Sequence, residues 1–111
     1  SSMRKLPTNV VKYSQVPSSK GNRFTATRIP KGLLKEHSTK KGTWGVIRVF
    51  QGRLEYTIQN ETPLELDTEN PGIIEPTVLH QVRALTDDVQ FVVEFYRLPG
   101  TGPVDEKREN L

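Results

Sequence analysis

The chain has 111 residues, 33% of them apolar, a net charge of +3 and a pI near 9.3. That length holds one hydrophobic core and excludes a second domain of ordinary size. Without cysteine there are no disulfides, thiolate metal sites or thiol nucleophiles. No apolar window approaches the length that spans a bilayer, and no hydrophobic leader follows the start, so a cytoplasmic protein without membrane contact is expected.

Ser1-Ser2 ahead of Met3 reads as a cloning remnant, and residues 1–5 are set aside as remnant and N-terminal tail. Up to Gly21 the text is polar and broken by Pro7 and Pro17, with one short strand predicted at Val10–Tyr13. Arg23–Ile29 alternates weakly, as an edge strand does, until Pro30 stops it. Lys31–Thr39 fits a short helical turn or an extended segment equally well. A hairpin follows. Trp44–Phe50 has the faces Trp44/Val46/Arg48/Phe50 and Gly45/Ile47/Val49, Gln51-Gly52 turns the chain, and Leu54/Tyr56/Ile58 alternate with polar residues on the return.

Leu64–Asp67 is a further short strand, and Asn70-Pro71-Gly72 a turn into Gly72–Ile74. At Glu75-Pro76 the proline removes a ladder donor and bends the chain. The next strand places Val78, His80, Val82 and Ala84 on one face, with Leu79, Gln81, Arg83 and Leu85 on the other. Val89–Tyr96 is the last long strand, and residues 99–111 read as a flexible charged tail. Short, evenly spaced strands with Gly/Pro turns predict an all-β sandwich or barrel over residues 6–98.

Few groups here can carry chemistry. His37 and His80 are the only histidines, and Glu36 and Glu75 lie close to them in the chain. Two imidazoles with a carboxylate suit a divalent metal (Zn, Fe, Ni or Mn), although a lone strand histidine more often only closes a hydrogen bond. Arg48 and Glu94 sit in stretches too apolar for an unpaired charge. Either they pair with one another, or Glu94 completes a metal shell and Arg48 meets a substrate anion. Trp44 and Tyr56 are expected in the core or in a cavity wall. The bases are scattered rather than gathered on one face, so no nucleic-acid partner is expected. No nucleophile elbow, phosphate-cradling loop or dinucleotide fingerprint is present.

Blocks of sequence carry a further resemblance. They are Pro30-Lys31-Gly32-Leu33-Leu34-x-x-His37-Ser38-Thr39-Lys40-x-Gly42-x-Trp44-Gly45, Gly52-Arg53-Leu54-x-Tyr56, Pro71–Pro76 with Val78-x-His80-x-Val82, and Phe91-x-Val93-Glu94-Phe95-Tyr96-Arg97. Together they resemble the small YeaR-like family, related to the N-terminal domain of TehB tellurite-resistance proteins. The resemblance implies a cupin-like double-stranded β-helix, a small jelly-roll barrel of the kind that often holds a divalent metal and often forms a homodimer. In some TehB proteins such a domain precedes a methyltransferase that uses S-adenosylmethionine.

The general cupin pattern is only half present. His37 can stand for its first histidine and His80 for that of its second motif. Thr39 occupies the second histidine position, and no acid lies between His37 and Gly52. A metal would need Glu75, Glu94 or water to complete its shell. The expected function is metal-dependent action on, or sensing of, a small molecule or oxyanion. His37, His80, Glu75 and Glu94 would serve the metal, and Arg48, Trp44 and Tyr56 the ligand. A metal-free binding module is the alternative.

Overall fold

A computed structural model describes residues 5–34 and 39–99. Within them run strands β1 (Val11–Val16) and β2 (Phe24–Thr25), helix α1 (Lys31–Leu34), and strands β3 (Trp44–Gln51), β4 (Leu54–Ile58), β5 (Leu64–Leu66), β6 (Gly72–Ile74), β7 (His80–Ala84) and β8 (Gln90–Arg97). One sheet has five strands in the order β1-β8-β3-β6, with β2 also on β8, and the other has three in the order β5-β4-β7. All strand pairs are antiparallel.

The alternation read in the sequence decides which faces meet. Gly45/Ile47/Val49 of β3 and Phe91/Val93/Phe95 of β8 face inward, and Leu54/Tyr56/Ile58 of β4 and Val82 of β7 face back at them. Two sheets, each apolar on one side, bury those sides against each other. Leu33 of α1 closes one flank, where the helix packs on β7.

Gly52 turns the β3–β4 hairpin at φ +72°, a left-handed conformation that glycine adopts without strain. Its lack of a side chain is also steric. A Cβ there would lie 2.8 Å from the Val89 backbone and 2.4 Å from Thr86 Oγ1.

The all-β architecture agrees with the sequence. Closure differs: among the described residues no ladder joins one sheet to the other, so the structure is an open two-sheet sandwich rather than a hydrogen-bonded barrel. Strand ends also moved. β1 extends beyond Tyr13 because its hydrogen bonds to β8 continue to Val16. The strand expected over Arg23–Ile29 shrinks to Phe24–Thr25, held by ring contact between Phe24 and Phe91. The undecided stretch from Lys31 opens as a short helix.

Candidate functional site

Because the sheets do not close, a seam opens between the free edge of β6 in one sheet and that of β5 in the other. A cavity of about 460 Å³ occupies it, within the roughly 300–1,000 Å³ usual for small-molecule sites. The three-stranded sheet contributes Tyr56, Ile58, Leu64, Glu65 and Leu66 to the wall; the five-stranded sheet contributes Val46, Arg48, Gly72 and Ile73. Lys5, Leu6 and the Glu69–Pro71 turn complete it.

Gly72 is what lets the two walls approach. A Cβ at that position would lie 2.7 Å from Leu66 Cδ1 and 3.1 Å from Tyr56 Cδ2. Tyr56 ties the walls together, since its buried hydroxyl donates a hydrogen bond of 2.8 Å to the Ile73 carbonyl on the β6 edge. A second recess of about 250 Å³ adjoins the first and shares Arg48 and Pro71 with it. Arg48 therefore stands at the junction of an apolar chamber and a smaller, more polar one.

Arg48 and Glu94 do pair. Register sets Val46 opposite Glu94, which makes Arg48 a diagonal neighbour on the outer face of the five-stranded sheet. Arg48 Nε donates to Glu94 Oε1 at 2.8 Å, the Tyr96 hydroxyl donates to the same oxygen at 3.0 Å, and Lys12 Nζ reaches Oε2 at 3.4 Å. Partial burial pushes the Glu94 carboxyl up, but the hydrogen bonds from Arg48 and Tyr96 outweigh it and hold the group below its ordinary value. The same bond with Glu94 raises Arg48.

His80 sits elsewhere. It is 2% exposed, shares its strand face with Val82 in the core between the sheets, and meets the Tyr56 ring edge-on with centroids 6.0 Å apart. Its Nδ1 lies 3.1 Å from the Val78 carbonyl, which can only accept. Nδ1 is therefore the ring nitrogen that carries a proton and donates. The turn before His80 is anchored to the chain just after His37, with the Thr77 N–H donating to the Thr39 carbonyl at 3.1 Å. Thr77 takes a φ of 66° there, and Thr39 Oγ1 donates to the Thr43 carbonyl at 2.8 Å.

The expected metal set is thus divided. His80 faces the core, Glu75 lies at the turn just past β6, and Glu94 projects from the opposite face of β8 to the core residues Val93 and Phe95. His37 lies outside the described residues. Among the described residues no group of three or more histidines, aspartates and glutamates is placed to hold an ion. Those residues alone do not fit a metal shell.

The expected ligand set fares differently: Arg48 and Tyr56 both line the cavity, while Trp44, half-buried on the outer face of β3, does not. Leu64, Leu66, Gly72 and Ile73 were not singled out from the sequence. Nothing local marks them, because the cavity forms between edge strands from different sheets. The Leu64-x-Leu66 alternation and the Pro71-Gly72 turn are the only traces of it.

Fold and site together define a small cupin-like domain with a ligand-sized opening between its sheets. The fold agrees with a cupin protein from Bacteroides fragilis (TM-score 0.52, 16% identity, 99% of this chain and 95% of that one). It agrees more closely with the crystal structure of a protein from Escherichia coli K12 (TM-score 0.75, 20% identity, 87% and 99% covered). The TehB-like domain profile matches residues 20–93, and the chain belongs to that family.

A relative from Haemophilus influenzae, "Probable S-adenosyl-L-methionine-dependent methyltransferase TehB", is 29% identical in an alignment 97 residues long that covers 82% of this chain and 32% of the relative. The chain spans about a third of the length of the curated relatives it matches. The crystal structure of TehB from Haemophilus influenzae superposes with a TM-score of 0.73 at 24% identity, over 90% of this chain and 38% of that one. Among the described residues no helix is long and apolar enough to cross a membrane.

Proposed function

We propose that this TehB-like domain binds or senses a small molecule or oxyanion, and that the seam cavity is where it does so. The observation that carries this reading is the cavity itself. An apolar chamber of about 460 Å³ has one guanidinium, Arg48, and one anchored phenol, Tyr56, among its lining groups. A concave apolar site with a few convergent polar groups is the usual form of a small-molecule site. The methyl transfer named for the relatives is not carried over, because the alignment reaches only about a third of them. Cytoplasmic placement and self-association belong to this reading, and light scattering tests the second.

The test is a fragment screen followed by NMR, on wild type and on Leu64→Trp, whose larger ring fills the chamber. Binding is expected in wild type and absent from a folded Leu64→Trp. Fragments that bind both equally would overturn the reading.

A metal is a second reading, favoured by one observation. The Thr77–Thr39 hydrogen bond draws the chain following His37 onto the turn that leads into His80. His37, His80 and Glu75 would be its ligands, and the metal would act as a Lewis acid when bound. The Nδ1–Val78 hydrogen bond would orient the His80 ring for such a role. Elemental mass spectrometry on tag-free protein prepared without chelators or nickel resin decides it. About one zinc, iron, nickel or manganese ion per chain, lost in both His37→Ala and His80→Ala, is expected on this reading. Metal retained by His80→Ala would refute it.

A further inference from the structure

Resting on the binding reading above, we propose that residues 5–10 form a displaceable strap over the seam cavity, with Leu6 as the latch that a ligand moves on entry. Three observations lead there.

The first is where the segment runs. β1 and β6 lie at opposite ends of the strand order in the five-stranded sheet, with β8 and β3 between them. β1 begins at Val11, opposite Arg97 of β8, yet Lys5 and Leu6 line the cavity together with residues of β3 and β6. Residues 5–10 therefore cross from one side of the sheet towards the other. Neighbouring strands lie about 4.8 Å apart, so β3 is about 10 Å and β6 about 14 Å from β1. The five residue steps from Leu6 to Val11 reach about 17 Å at full extension, which covers the crossing with little slack.

The second is what the segment brings to the cavity. Leu6 and Pro7 are half-buried, whereas Lys5, Thr8 and Asn9 are exposed, and no strand or helix includes any of them. Among the lining residues Leu6 is the only leucine, isoleucine or valine that belongs to neither sheet. A leucine in such a segment docks by burying hydrocarbon rather than by any ladder of its own. On the sheet side the cavity offers it Val46 and Ile73, which face each other across β3 and β6.

The third is how lightly the segment is tied. Among the described residues, no hydrogen bond or ion pair joins residues 5–10 to either sheet, and the ladder to β8 starts only at Val11. The rest of the boundary is fastened. Most of it is strand, Tyr56 is bonded across the seam to the Ile73 carbonyl, and the turn carrying Glu69 and Asn70 is closed by two backbone bonds between Asp67 and Asn70. A stretch without ladder bonds and with little buried surface opens at a cost far below that of global unfolding. The strap is thus the part of the boundary that yields, and it closes again once the cavity is filled.

The experiment follows N-phenyl-1-naphthylamine, a neutral apolar dye that brightens on leaving water, by stopped-flow fluorescence with the full chain. Leu6→Ala loosens the latch, so the open strap is more populated and both the association and the dissociation rate are expected to rise about fivefold. Loss of a fixed wall contact would speed dissociation alone. Asn9→Gly loosens the strap from a position that does not line the cavity, and it is expected to raise both rates about two- to threefold through the freer open chain.

An association rate unchanged in Leu6→Ala would overturn the latch and make Leu6 part of a fixed wall. A rate raised in Leu6→Ala but not in Asn9→Gly would confine the motion to one side chain and overturn the strap. Neither position belongs to a strand, so both variants should melt like wild type; a large drop for Leu6→Ala would place Leu6 in the cooperative core and also overturn it. If a fragment binds wild type and the dye does not, NMR line shapes of that fragment supply the two rates. If neither dye nor fragments bind, the binding reading falls and the strap with it; if they bind with the same rates in both variants, only this inference falls.

Discussion

Tyr56→Phe removes one oxygen atom and tests whether the seam is held at a set width. The ring is 2% exposed and stays in place in the variant; what disappears is the 2.8 Å hydrogen bond to the Ile73 carbonyl. That bond runs from β4 in one sheet to the edge of β6 in the other, so it crosses the seam between sheets that no ladder joins. A neutral hydrogen bond contributes about 1 kcal/mol net, and a carbonyl left without its donor adds a desolvation cost of similar size. The expected loss is therefore about 1–2 kcal/mol, several degrees in Tm for a domain of this length.

The assay is urea unfolding followed by tryptophan fluorescence and far-UV circular dichroism. Tyr56→Phe should lower the midpoint with an unchanged m-value, since the buried surface is nearly the same. Tyr56→Leu, which also gives up the ring and its edge contact with His80, should cost about 2 kcal/mol more. A Tyr56→Phe variant as stable as wild type to within about 0.3 kcal/mol would show that the cross-seam bond does not stabilise the fold, and the reasoning would fail.

Two further predictions concern the frame and its charges. Gly52→Ala should cost about 2 kcal/mol or more, because alanine at φ +72° is strained and its Cβ meets the Val89 backbone; a melting curve like that of wild type would contradict this. Glu94 should make stability pH-dependent. Its folded carboxyl titrates below the ordinary value, so its contribution is present above about pH 4.3 and is lost as pH falls through the lower folded value. Urea unfolding across pH 2–6 should show this loss in wild type and a smaller one in Glu94→Gln; parallel curves would refute it.

Much of the fold was legible because alternation is a direct readout of which side chains face a core. In β3, the face Gly45/Ile47/Val49 proved to be the inner one, and Val82 and His80 share the inner face of β7 as their spacing requires. Gly72–Ile74 was read with its observed limits. Less legible were features set by partners distant in the chain. The end of β1 at Val16 is decided by β8, and the shortness of β2 by how little of it finds a partner.

The site divides along the same line. Charges in apolar text flagged Arg48 and Glu94, and their pairing follows once register brings Val46 opposite Glu94. Tyr56 was expected in the core or in a cavity wall, and it is buried in the one while lining the other. The cavity itself had no local signal, since it exists only where the unpaired edges of β5 and β6 face each other. Trp44 shares its face of β3 with Val46 and Arg48, yet it lies outside the stretch of that face that lines the cavity.

The central claim is that a small molecule occupies the seam, and the most direct measurement is a 15N-HSQC titration of the full chain with the fragments of the screen. The account predicts saturable shifts concentrated at Ile58, Leu64, Leu66, Gly72 and Ile73, which line the cavity from both sheets. Shifts confined to other surfaces, or none with any fragment, would contradict it.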